Sequence, residues 1–175
     1  CVDLPGHGAA AAEAALGKLD VIADRLAASL PGSGGHLIAW SLGALPAIRC
    51  ASRHPRRLRS LIMVAGTPRF VTGPDWDCAM QPAVLEAFAA DLRDDHRGTL
   101  NRFLALQFRD LPEAQGLLRS LRARLLAESP ASQALQEGLE MLRQTDLRPE
   151  LSALSCPVGV ILGARDNLVP AELAA

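Results

Sequence analysis

The 175-residue sequence has no excess charge of either sign: 18 Lys and Arg stand against 19 Asp and Glu, a formal net charge of −1. Holding nucleic acid or an anionic membrane through a broad electrostatic surface needs a basic balance, and this chain has none. Lysine is nearly missing, Lys18 being the single one, so cationic chemistry falls to arginine. No apolar run approaches the roughly 20 residues that cross a bilayer, and the first residues do not read as a signal peptide. The cysteines Cys1, Cys50, Cys78 and Cys156 are scattered, with no C-x-x-C pair. That argues against a zinc site and a disulfide framework, and fits a reducing, cytoplasmic compartment. What is plentiful is apolar surface: 49% of residues are hydrophobic, enough for one domain with a real core.

The chain is organised around residues 36–44, HLIAWSLGA. The apolar run Leu37–Trp40 reads as a buried parallel strand, and Ser41 follows at once. Ala44–Ser52 reads as a helix. Strand, sharp turn with a serine at its tip, then helix is the arrangement that lifts a nucleophilic hydroxyl clear of a sheet. The residues two before and two after the serine must be small to avoid collision across the turn; they are Ala39 and Gly43. The Leu42 N–H, at the start of the helix, is placed to meet an oxyanion formed when Ser41 attacks an ester carbonyl. The competing reading is a serine that merely caps the helix.

The remaining pattern alternates strands with helices, which implies a parallel sheet and an α/β fold. Ala9–Leu30 carries apolar residues at helical spacing and is broken by the Pro31–Gly35 segment. Leu61–Ala65 and Val158–Leu162 read as two more buried strands. Between Thr67 and about Arg148 strands vanish. Helical periodicity covers Pro82–Leu92, Thr99–Gln107, Glu113–Leu126 and Ser132–Leu142, with Pro112 and Pro130 at boundaries. This reads as a helical cap inserted over a sheet. The expected division is 1–68 and 149–175 as a partial sheet core, and 69–148 as the cap.

In parallel sheets the ligand site lies beyond the carboxyl ends of the strands. Ser41, Gly66, Thr67 and Asp166 all fall at such ends. A serine hydrolase needs a carboxylate to orient its imidazole, in the chain order serine, acid, histidine. Asp166 is in place and order for the acid; Asp3 and Asp146 are weaker rivals. Asp166 can also be read as an ordinary turn or helix cap. None of His7, His36, His54 and His96 follows the acid. The base is therefore expected beyond residue 175, and the first oxyanion loop ahead of Cys1. The absence of an initiator Met, and strand-end and helix-start patterns at the two ends, give the same expectation of a fragment.

The segment DLPGHG (3–8), the elbow, HPRRLRSL (54–61) and GARD (163–166) together resemble the α/β-hydrolase superfamily along the whole chain. More narrowly, WSLG (40–43), Val64, Ala65, Thr67 and Pro68, RFLALQ (102–107), GLEML (138–142) and TDLR (145–148) resemble the methyl ester esterases of biotin synthesis. Those enzymes act on pimeloyl-acyl carrier protein. The resemblance implies a carboxylesterase with Ser41 as nucleophile and Asp166 as acid. It implies Trp40, Leu42, Phe103, Leu104, Ala105, Leu106 and Gln107 along an acyl channel. It also implies Arg102 and Arg119, with Arg97 and Arg122 nearby, facing an acidic carrier protein. Another basic position of the pattern is Gln115 here. No metal and no organic cofactor is implied. Two rivals remain: a generic small-ester or lactone hydrolase, and a non-catalytic binding protein on the same fold.

Overall fold

The computed structural model describes residues 1–107, 115–127 and 130–174. They form two compact units, Cys1–Leu16 with Ala83–Leu139, and Gly17–Pro82 with Glu140–Ala175.

The second unit holds the sheet. β1 (Gly35–Trp40), β2 (Leu58–Val64) and β3 (Val158–Ile161) lie side by side in that order, both pairs parallel. The register aligns Trp40 with Val64 and Val64 with Ile161, so the three strands end in one row. α1 (Leu19–Ser29) and α2 (Ala44–Arg53) pack on one another, and α2 also meets β1 and β2. Ala23, Ala39, Leu45, Ile48, Cys50, Leu58, Leu61, Met63 and Leu147 form the core beneath them. Side chains alternate across a strand. Leu37, Ala39, Leu61 and Met63 therefore turn to the helices, and Ile38 and Trp40 turn away. The strand residues expected to be buried throughout are not: β1 and β2 are covered on one face only, with Ile38 and Trp40 72% and 75% exposed, and all four residues of β3 are exposed, Ile161 at 57%.

The helix expected from Ala9 begins only at Leu19. The periodicity was right from Leu19 on, but Gly17 takes φ 84° and Lys18 is extended, which breaks any earlier helix. At the other end, Arg57 reaches the last carbonyls of α1. Its Nε donates to Ala27 O at 3.0 Å, and its Nη2 donates to Ala27 O at 2.7 Å and to Leu30 O at 2.5 Å. Ala27 O also accepts the Leu30 N–H at 3.3 Å, so Arg57 adds charged donors to the end of the helix, where a cation also suits the helix dipole.

In the first unit, α3 (Pro82–Asp94), α4 (His96–Gln107), α5 (Gln115–Ala127) and the start of α6 (Ser132–Gln144) appear where periodicity placed them. Glu113 and Pro112 fall outside the described residues. Leu85, Leu92, Leu100, Leu118 and Ala134 are buried here. Asp95 separates α3 from α4 and accepts the Gly98 N–H at 2.9 Å, an N-terminal cap. Residues 1–16 belong to this unit: Ala131 N–H donates to Gly6 O at 2.9 Å, and a Cβ on Gly6 would collide with Ala134. A short α7 (Arg148–Ser152), with Pro149 in its first turn, was not expected.

Candidate active site

Ser41 sits between the last residue of β1 and a single 3-10 turn, Ser41–Gly43, that leads into α2. Its φ is 52°, in the left-handed region that a side chain with a Cβ seldom occupies. The helix-cap alternative fails. No side chain caps either the 3-10 turn or α2. Ser41 is exposed, and Leu42 is half-buried. A strained, exposed serine on a strand-to-helix bend is the geometry that the sequence pattern predicted.

The steric reason given for small neighbours holds in a different place. A Cβ built on Gly43 meets nothing within 4 Å. The tight contact is at Gly66, where a Cβ would lie 2.5 Å from Ala44 Cβ and 3.3 Å from Ser41 O. Gly66 follows β2, and the residue before it, Ala65, also has a positive φ, 46°. The turn after β2 therefore packs directly under the bend that carries Ser41.

Asp166 lies five residues beyond the end of β3, half-buried. Its Oδ1 accepts the N–H groups of Leu168 at 2.8 Å and Val169 at 3.0 Å. This is the Asx-type turn of the simpler reading, and it fixes the carboxylate. Among the described residues, Oδ2 takes no hydrogen bond. Ser41 and Asp166 thus follow the same ends of β1 and β3, strands that lie two spacings, or about 10 Å, apart in the sheet.

The rival acids are committed elsewhere. Asp3 accepts the Ala9 N–H at 2.9 Å. Asp146 receives Arg69 Nη1 at 2.6 Å and Arg148 Nη2 at 2.8 Å. Two histidines of the sheet unit are also placed away from Ser41. His36, at the start of β1, shares a 2.7 Å hydrogen bond with Ser60 Oγ. His54, after the last turn of α2, donates to Asp24 Oδ1 at 2.7 Å. In the other unit, His7 Nδ1 donates to Pro5 O at 3.0 Å. Among the described residues, no group of His, Cys, Asp or Glu is arranged to hold a metal ion, and no helix is long and apolar enough to cross a membrane.

A sequence model described as "Alpha/beta hydrolase family" matches residues 1–175. The chain belongs to the alpha/beta hydrolase family. It is 45% identical over 171 residues to a protein of Xanthomonas campestris pv. campestris (strain B100) named pimeloyl-[acyl-carrier protein] methyl ester esterase, covering 97% of this chain and 66% of that one. A Stenotrophomonas maltophilia (strain R551-3) protein of the same name is 44% identical over 176 residues, covering 99% and 67%. The chain thus spans about two thirds of the length of these curated relatives. Among solved structures, an esterase from Exiguobacterium antarcticum superposes with a TM-score of 0.85 at 21% identity, over 98% of this chain and 65% of its own. A hydrolase from Pseudomonas aeruginosa PA01 gives 0.73 at 27%, over 99% and 65%. The incomplete parallel-sheet core and the helices agree with membership in the family.

Within the helical unit, Phe103, Leu104 and Ala105 on α4 are half-buried, and Leu106 and Gln107 are exposed. The Phe103 ring packs 5.6 Å from Phe88 of α3. Arg102 Nη2 donates to Thr99 Oγ1 at 2.8 Å and Nη1 to Asp95 Oδ2 at 3.3 Å, leaving the guanidinium exposed but oriented. Arg119 on α5 is exposed. Sequence reasoning named Gly66 only as a strand-tip residue. Its contact with the Ser41 bend joins residues 25 apart in the chain, which no local pattern reveals.

Proposed function

We propose that this chain is the major part of a serine carboxylesterase that hydrolyses the methyl ester of pimeloyl-acyl carrier protein in biotin synthesis. The strained Ser41 bend carries the reading, and the names of relatives at 44–45% identity supply the substrate. Ser41 Oγ attacks the ester carbonyl and its proton passes to a histidine, which returns it to the departing methanol. Water then cleaves the acyl-enzyme, releasing the free carboxylate and restoring Ser41. Asp166, through Oδ2, orients that histidine and stabilises its charged form. The Leu42 N–H is one oxyanion donor. The base and a second donor are expected from outside residues 1–175, so this stretch alone should turn over ester poorly.

In the same proposal Trp40, Leu42 and the α4 segment Phe103, Leu104, Ala105, Leu106 and Gln107 line the acyl channel. Arg102 and Arg119 meet the acidic carrier protein. Residues 1–68 and 149–175 act as the catalytic core, 69–148 as the cap, and the enzyme works in the cytoplasm without a metal or organic cofactor.

The test uses the full-length protein. A fluorophosphonate should label Ser41, and Ser41→Ala should lower kcat by roughly 10³-fold or more. Arg102→Glu and Arg119→Glu should raise KM for the carrier-borne ester while leaving short p-nitrophenyl esters unaffected. Equal effects on both substrates would favour the generic small-ester hydrolase. No labelling of Ser41 would favour a binding protein on the same fold.

A further inference from the structure

The turn under Ser41 does not end at Gly66. The next residue, Thr67, is buried; its hydroxyl donates to Arg69 O at 2.9 Å and accepts the Arg69 N–H at 3.4 Å. Arg69 then folds back over its own loop. Its Nε donates to Val71 O at 3.0 Å, its Nη2 to Thr72 O at 3.4 Å and its Nη1 to Asp146 Oδ2 at 2.6 Å. The guanidinium lies where a side chain at Gly73 would have to go. Trp76 closes the loop, its Nε1 donating to Arg69 O at 2.9 Å.

A second guanidinium holds the same loop from the other side. Arg148 donates Nε to Asp146 Oδ1 at 2.9 Å and Nη2 to Asp146 Oδ2 at 2.8 Å. Its Nη1 reaches Pro74 O at 3.4 Å and Asp75 O at 3.3 Å, and its Cζ sits 5.3 Å from the centre of the Trp76 ring. Beside it, Leu147 N–H donates to Pro68 O at 2.9 Å, and the fully buried Leu147 side chain is part of the core. One carboxylate therefore fixes two guanidiniums, which between them grip four carbonyls of residues 71–75. Both Asp146 oxygens are used in doing so. A charge-assisted cluster of this kind has one good geometry, and removing its centre leaves two cations crowded together without a counter-ion.

We propose that Asp146 is a positioning residue: by holding Arg69 and Arg148 it sets the loop 66–76 and, through Thr67 and Gly66, the bend that carries Ser41. It acts at a distance from the reacting atoms and takes no proton in the reaction. The kinetic part of the inference rests on the serine esterase reading; the structural part does not.

Two arms test it on the full-length protein. The spectroscopic arm uses Trp40→Phe as background, with any tryptophan outside residues 1–175 also replaced by Phe, so that Trp76 reports the loop. Asp146→Asn should shift Trp76 emission to the red and raise its accessibility to iodide severalfold, and Asp146→Glu should restore most of the wild-type signal. In the kinetic arm, with Trp40 intact, Asp146→Asn should lower kcat and the rate of fluorophosphonate labelling about tenfold, with KM changed less than twofold. Arg148→Gln, which releases Pro74 and Asp75 without removing the carboxylate, should give the same Trp76 change with a smaller loss of kcat. It decides the matter if Asp146→Asn does not fold. Wild-type Trp76 emission in a folded variant, a loss confined to KM, or a kcat loss that tracks only the unfolded fraction would overturn the proposal. If wild-type Ser41 is not labelled at all, the esterase reading fails, and the Trp76 arm still decides the role of Asp146.

Discussion

A serine at φ 52° costs about 1–2 kcal/mol relative to an ordinary conformation, because its Cβ crowds the backbone carbonyl. Glycine has no such penalty. Ser41→Gly should therefore be more stable than Ser41→Ala by about 1 kcal/mol, although both lack the hydroxyl. Urea midpoints of the two variants measure this, and equal midpoints would mean that the bend is unstrained. The strain persists because the neighbours over-determine it. Gly66 packs so closely against the bend that a Cβ there would lie 2.5 Å from Ala44 Cβ and 3.3 Å from Ser41 O. Ser41 was legible in the sequence because strand, turn and helix are contiguous there. For Asp166 the sequence offers both an acid, from chain order, and an ordinary turn; the structure forms the Asx turn, and what the sequence did not show is that Oδ1 takes both N–H groups, which depends on how Leu168 and Val169 fold back. Asp146 reads from the sequence as a rival acid and as part of the TDLR segment, with no partner named. Its partners Arg69 and Arg148 include one 77 residues away, and charge in a sequence does not show which cation it meets.

At the scale of elements, periodicity placed the helices and strands well, because each buries one face and the spacing of apolar residues records it. It failed where backbone chemistry overrides spacing. Alanine-rich residues 9–18 keep helical periodicity, yet Gly17 at φ 84° ends any helix there. It also over-read the strands, since an apolar run does not show which face is covered. The end of α1 is held by a residue from another element. Arg57 supplies three donor contacts to Ala27 O and Leu30 O. Hydrogen bonds from a charged group that is partly buried contribute about 2 kcal/mol. Arg57→Ala should lower stability by about that amount and speed amide exchange in the last turn of α1, while Arg57→Lys should recover only part, since an ammonium cannot reproduce the fork. Unchanged exchange at Ala27–Leu30 would show that the carbonyls are satisfied without it.

Across the whole molecule, the depressed carboxylates set how stability varies with pH. Hydrogen bonds from Arg148, and then Arg69, hold the Asp146 carboxyl well below the usual carboxylate range, against the opposing effect of burial. Hydrogen bonds from His54 and Arg53 lower Asp24, and one from Arg143 lowers Glu140, on an exposed surface where such pairs contribute little. A carboxyl whose folded pKa lies below its unfolded value, about 4, favours the folded state when ionised. That contribution is complete above the unfolded value and is lost as pH falls through the folded one. Stability should therefore be nearly flat from pH 8 to 5 as far as these groups are concerned, and fall steadily below about pH 4. Because Asp146 is the least exposed of the three and the most strongly shifted, it should account for most of the slope. Urea midpoints between pH 6 and 2.5 test this on wild type and Asp146→Asn. The variant should start lower and decline less, so that the two curves converge in acid. Parallel curves would mean that acid acts on other groups, and that the cluster joining Arg69 to Arg148 is not what the proton disrupts.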